Sequence, residues 1–471
     1  MKTSRDYFKA ARACGRAGDF DGSIQECQAA LRLDPDFWEA HLNLGLVYLE
    51  LKRHEDAAAE YREALRVNPD NAELHNHLSF ALDKLGQREQ ALEKYLEALE
   101  IAPLLATANH NYANILRERG ETTAAIARYR IAISRNPGAE DTHLNLGIAL
   151  AQNKDYPAAI IEYQECMRLK PSYWKPRYNS GAAFRKQSLW DEAAAEYRQA
   201  LAQNLEHAQT HFYLGYCLLK KEHWEDAEAC CREAIRLKPD YADAHCNLGV
   251  ALAGRKKHKA ATAVYQEAVR FDPAGSIALR NLAVRLKEIG NIKDAEAGLQ
   301  AAIEVDKADK RAHYLLGRLL LGSKRIEEAI AEFQAAVTLD PDYADAQFFL
   351  GVAFDRRGAY VWAATHFQHA RRLDPNDAEY RMQFGCVLNS LKDLPEAIAE
   401  MREAVRLKPN MARYHALLGL TLTEDRRFSQ GRKESLRALW LCPWYPAFWA
   451  GYGIGLVYAF ICWLFRLPKD F

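Results

Sequence analysis

The sequence predicts an all-α solenoid of about thirteen helix-turn-helix units, closed by an apolar C-terminal helix. Three observations predict it. Proline stands at 35, 69, 103, 137 and 171, at 239 and 273, and at 341, 375, 409 and 443, so every interval is 34 residues or twice 34. The eighth residue of each 34-residue unit is always small, as in Gly45, Gly147, Gly215, Gly351 and Gly419. Residues 438–465 carry no charge, a run of 28 in a chain whose next longest is 16. The units run from 4–37 to 412–445 with no insertion, and 446–471 form a separate segment.

Composition sets the outer bounds. The 471 residues carry 63 Lys+Arg against 63 Asp+Glu, and 49% are apolar. Such a mixture buries a sizeable core, while zero net charge argues against a nucleic-acid partner. The ten cysteines contain no CxxC pair, which fits a reducing compartment rather than a disulfide framework. The first twenty residues lack an apolar run of signal-peptide length and already resemble a helix face.

Within each unit the small eighth position belongs to a first helix. The second helix carries Ala at positions 20 and 27, as in Ala57 and Ala64, with an aromatic between them, as in Tyr61, Tyr163, Tyr197 and Phe333. Ala and Gly let helix backbones approach, and the ring fills the space beside them. The proline falls just past the second helix, which it cannot continue; Arg236-Leu237-Lys238-Pro239 is one such stop. The beat fails at Leu205 and Lys307, and unit nine, which also follows Ala274-Gly275, is expected to bend the array. One hairpin cannot bury its apolar face alone, so neighbours stack.

The unit His41-x2-Leu44-Gly45-x2-Tyr48, then Ala57-x3-Tyr61, then Pro69, resembles the tetratricopeptide repeat, with His where Trp is usual. The resemblance covers residues 4–445. It implies a right-handed superhelix whose concave wall, lined by first helices, holds peptide segments of other proteins, and it implies no catalysis. The 34-residue period sets the chain apart from the pentatricopeptide repeat.

The chemistry-bearing residues mostly follow the beat. Seven histidines, His41, His75, His143, His211, His245, His313 and His415, share the fourth position of a unit and read as packing or groove-lining groups rather than metal ligands. His366 and His369 lie one turn apart without a further ligand set. Cys27, Cys166 and Cys231 replace interior aromatic or alanine positions and read as small apolar fillers, and the vicinal Cys230 and Cys231 as no redox pair. No phosphate loop, nucleophile elbow or HExxH motif is present. The expectation is no catalytic residue, no cofactor and no metal.

One polar set recurs in phase. The sixth position carries Asn43, Asn111, Asn145, Asn179, Asn247 and Asn281, with His77 and Gln383 as polar relatives. Asn costs roughly 0.6 kcal/mol against Ala inside a helix, so its recurrence needs a reason. An amide both donates and accepts, which suits the backbone of an extended peptide. This ladder resembles that of the repeat region of O-GlcNAc transferase, where such asparagines grip substrate backbone. It departs from that family because the ladder stops after Asn281 and no glycosyltransferase domain follows. The six asparagines are the expected peptide-binding residues; the alternative is that they bond neighbouring units to each other. On the first reading, replacing Asn111, Asn145 and Asn179 by Ala weakens peptide capture and leaves stability unchanged.

The tail breaks the pattern. Residues 447–467, AFWAGYGIGLVYAFICWLFRL, would make a helix of about 31 Å, close to the hydrocarbon thickness of a bilayer. Trp440, Trp444, Trp449 and Trp463 suit the interfaces, and Arg427, Arg432, Lys433 and Arg437 before the run place the repeats in the cytoplasm. A single-pass anchor in the lipid bilayer is expected. Alternatives are a cap buried on the last repeat, which Trp449 and Gly453 keep in phase, and a homodimer contact. The function expected is a non-enzymatic, membrane-tethered scaffold for other proteins; the alternatives are a substrate-targeting subunit of a transferase acting in trans, or a soluble scaffold.

Overall fold

The structure is a computed structural model and describes residues 2–442. Among these residues there are twenty-six helices and no strand. Each unit has a first helix of 13 or 14 residues and a second of 14, beginning with Ser4–Arg16 and Phe20–Leu33 and ending with Ala412–Glu424 and Phe428–Leu441. The two missed prolines change nothing locally. Trp190–Gln203 and Ile292–Val305 stop at the same position of their units as the helices that meet a proline. Unit nine keeps the standard helix lengths in Ser276–Glu288 and Ile292–Val305, so no irregularity of its helices provides the expected bend.

Every turn inside a unit closes the same way. The fifteenth residue of each unit, from Gly18 to Arg426, has φ between +59° and +84°. Glycine takes this left-handed place at five turns, and Lys, Ser, Glu or Arg at eight. A side chain there costs about 1 kcal/mol, which packing of the hairpin offsets.

The core repeats with the sequence. The alanines at positions 20 and 27 are buried, and Tyr61, Tyr129, Tyr163, Tyr197, Phe333 and Phe367 are the large side chains enclosed beside them. At Gly45 and Gly147 the absence of a side chain at position 8 is a steric need. A Cβ on Gly45 would lie 2.4 Å from Cε1 of Tyr61, and one on Gly147 2.5 Å from Cε1 of Tyr163. In these two units the ring occupies the volume a first-helix side chain would fill.

Within each of the two bodies described below, second helices pack on the first helix of the following unit. Exposed ion pairs such as Arg66–Asp36 (2.6 Å), Lys170–Glu140 (3.1 Å) and Lys221–Asp191 (2.7 Å) cross these seams and each add at most about 1 kcal/mol. The chain divides into two compact bodies, Met1–Pro239 and Asp240–Phe471. Within each, consecutive first helices approach more closely than consecutive second helices, so the first helices form the inner wall. Among the described residues no helix is long and apolar enough to cross a membrane. The expected anchor, residues 447–467, lies outside them.

Candidate functional site

The inner wall is where chemistry is available to a partner. In the N-terminal body a cleft of about 500 Å³ crosses the first helices Ser4–Arg16, Trp38–Glu50 and Ala72–Lys84. It brings together Arg12, Leu46 and Phe80 from position 9, Leu49 from position 12, Arg16 from position 13 and Asn43 from position 6. The helical spacing of 3 to 4 residues puts these positions on one face.

All six ladder asparagines are half-buried. Asn43 Nδ2 donates to Ser23 Oγ (3.2 Å) and Cys27 Sγ (3.3 Å) of the preceding unit. Asn111 Nδ2 donates to Asn76 Oδ1 (3.2 Å), and Asn145 Nδ2 to Asn114 Oδ1 (3.2 Å). Asn281 Nδ2 reaches Cys246 Sγ at 3.6 Å. Asn247 Nδ2 is buried without a hydrogen bond, and Asn179 makes none among the described residues. Position 6 therefore sits on the seam between consecutive units. Where it is a ring, that ring stacks on the aromatic of the preceding unit: His77 on Tyr61, Tyr213 on Tyr197 and Phe349 on Phe333, with centroids 5.5 to 6.0 Å apart. Each bonded asparagine uses its N–H on the seam and keeps its Oδ1 open. At Asn43, Asn111, Asn145 and Asn281 the amide bonds a group of the preceding unit, the arrangement expected if the ladder joins neighbouring units.

The fourth-position histidines have a shared structural task. His41 Nδ1 lies 2.6 Å from Glu60, and Nε2 lies 3.2 Å from the Pro35 carbonyl. The pattern recurs in His143 with Glu162 and Pro137, in His313 with Glu332 and Lys307, and in His415 with Glu434 and Pro409. Arg381 does the same between Glu400 and Pro375. The side chain at position 4 thus ties its own second helix to the turn entering the unit. His366 donates or accepts at Gln347 (2.9 Å), and burial holds its pKa below the usual histidine value. Among the described residues no group of three potential metal ligands exists. Burial pushes the Cys27, Cys166 and Cys230 thiols up to about 11, so they stay protonated and unreactive at neutral pH.

Sequence reasoning missed two features. Asn76 and Asn114 lie at positions 5 and 9, out of phase with the ladder, yet they receive its N–H groups; nothing periodic marks them. The nineteen-residue spacing from His to Glu in four units was a legible signal for the position-4 tie.

Comparison with known proteins agrees with this architecture. A family model described as Tetratricopeptide repeat matches residues 8–72, 53–106, 111–173, 178–241, 218–276, 280–344 and 325–378, and a second of the same description matches 378–411. No curated protein matches the chain. Among solved structures, the anaphase-promoting-complex hetero-tetramer Cut9–Hcn1 is similar at 12% identity and a TM-score of 0.44, covering 98% of this chain and 96% of that one. YrrB, described as a tetratricopeptide-repeat protein with an unusual peptide-binding site, is 21% identical with a TM-score of 0.35, over 42% of this chain and 97% of its own. The MamA protein is 22% identical with a TM-score of 0.32, over 36% and 92%. With repeat matches running along most of residues 8–411, the chain belongs to the tetratricopeptide-repeat family.

Proposed function

We propose that this chain is a non-enzymatic scaffold that holds extended segments of partner proteins along its inner wall, with Asn43, Asn111, Asn145, Asn179, Asn247 and Asn281 as contacts. The observation that carries the reading is the recurrent amide at position 6, whose N–H in Asn43, Asn111, Asn145 and Asn281 is spent on the seam while its carbonyl oxygen accepts no hydrogen bond among the described residues. An extended peptide presents backbone N–H groups whatever its sequence, and a row of acceptors on a fixed scaffold meets them without further ordering cost. The likeness of this ladder to that of O-GlcNAc transferase rests on the six asparagines and carries no transferase activity to this chain.

The test is peptide capture. Peptides selected on the wild-type chain should bind the Asn111→Ala, Asn145→Ala and Asn179→Ala combination more weakly by about tenfold or more. Equal affinity would remove the ladder from the site.

The same proposal includes a membrane tether through residues 447–467, carried by their length and lack of acidic residues. Alkaline carbonate extraction of the expressed full chain should leave it in the membrane pellet. Release into the supernatant would exclude the tether and leave the peptide-binding reading intact.

A further inference from the structure

Two guanidinium groups in the N-terminal cleft have no carboxylate to answer them. Arg12 and Arg16 line it from the first unit, and neither forms an ion pair among the described residues. Arg12 lies only over the Phe8 ring, 5.9 Å from its centroid. On the outer seams, Arg66 and Lys221 each have an acidic partner. The apolar part of the wall is formed chiefly by Leu46, which is 38% exposed, Leu49 and Phe80, the last with Lys84 above its ring at 5.0 Å. Glu50 is the one acidic group lining the cleft, which leaves it net basic. Asn43, whose Oδ1 accepts no hydrogen bond among the described residues, lines the same cleft.

These features suit different parts of one occupant. A large apolar side chain would cover Leu46, Leu49 and Phe80, an acidic neighbour would answer Arg12 and Arg16, and a peptide N–H would meet Asn43 Oδ1. We infer that the cleft across units one to three is a specificity site for an acidic partner segment anchored by a single large apolar residue. The inference rests on the proposed reading of the inner wall and adds the chemistry of the partner to it. Basic, uncharged or wholly apolar segments, including residues 447–467 of this chain, lack the carboxylates that Arg12 and Arg16 call for. Desolvated charge complementarity of this kind sets partner choice and makes affinity depend on salt.

The experiment is selection from a random short-peptide library on the detergent-solubilised full chain, followed by affinity measurement with the labelled peptides selected. The expected result is enrichment of Leu, Ile, Met or Phe beside two or more Asp or Glu. Arg12→Glu with Arg16→Glu should then weaken those peptides by about tenfold or more, and salt should weaken the wild-type complex in parallel. Leu46→Asp, which replaces an exposed side chain and spares the core, should lose the same peptides. Enrichment of basic or uncharged sequences overturns the inference. So does an acidic peptide whose affinity is untouched by both variants. If the selected peptides are lost on Asn179→Ala but bind Arg12→Glu, Arg16→Glu unchanged, the inner-wall reading stands and this cleft falls; a library that yields no binder overturns both.

Discussion

His41 and Glu60 face each other at 2.6 Å across the hairpin of their unit, with the far nitrogen of the imidazole 3.2 Å from the Pro35 carbonyl. A carboxylate and a carbonyl both accept, so satisfying both requires an N–H on each ring nitrogen, which is the imidazolium. Burial pulls the His41 pKa down, but the bond to Glu60, helped by the Pro35 carbonyl, outweighs it and leaves the pKa raised above 6.5. A pKa raised on folding means that the folded chain binds the proton more tightly. The stability this gives is full below about pH 6.5 and is lost as pH rises through the folded-state value. His41→Gln should therefore destabilise the chain more on the acid side of that window than on the alkaline side, by chemical denaturation at both. A pH-independent difference would show that the ring acts only by packing.

Gly45 and Tyr61 test the core. The added methyl of Gly45→Ala would meet the ring at 2.4 Å, so the ring or the helix must move, at about 1 to 3 kcal/mol. Tyr61→Leu removes the atoms in the way while opening a gap of its own. The double variant should be more stable than the sum of the two singles predicts, by about 1 kcal/mol in a denaturant-based cycle. Simple additivity would place the pressure elsewhere.

The repeat and its core were legible because they depend on size and period. A small residue every 34 residues, usually opposite an aromatic sixteen residues later, is visible in one dimension, and the helices begin and end where that beat places them. The proline is not needed for the stop: helices ending at Gln203 and Val305 finish at the same position of the unit without it. What the sequence did not reveal is pairing across a seam. Asn111 carries the phase, while its acceptor Asn76 is an ordinary-looking residue of the preceding unit. The clustering of Arg12 and Arg16 with Leu46 and Phe80 likewise needs three helices laid side by side before it can be seen.

The turns offer a prediction with opposite signs at equivalent places. Lys52 holds φ at +59° and Gly120 at +81°. Replacing Lys52 by Gly relieves about 1 kcal/mol of backbone strain and returns part of it as unfolded-state entropy, for a net gain of roughly 0.5 kcal/mol. Gly120→Ala meets the strain without relief and should cost about 1 kcal/mol. Shifts of the same sign at both turns, in thermal or denaturant unfolding, would contradict a shared turn geometry.

Asn111 and Asn179 occupy the same phase but differ in what they hold. Asn111 donates to Asn76, so Asn111→Ala leaves the acceptor of a buried side chain unmet and should cost about 1 kcal/mol. Asn145→Ala should cost less, because Asn114 Oδ1 still accepts from the Tyr129 hydroxyl at 2.5 Å. Asn179 makes no hydrogen bond among the described residues, and Ala is the better helix former by roughly 0.6 kcal/mol. Asn179→Ala should thus leave the unfolding midpoint unchanged or slightly raised. If it also weakens capture of a peptide selected on the wild-type chain, the amide acts on the partner, because a residue that served only the seam could not lose binding while keeping stability. Undiminished capture by Asn179→Ala, alongside a destabilised Asn111→Ala, would assign the ladder to holding units together and leave the partner to the side chains of positions 9, 12 and 13.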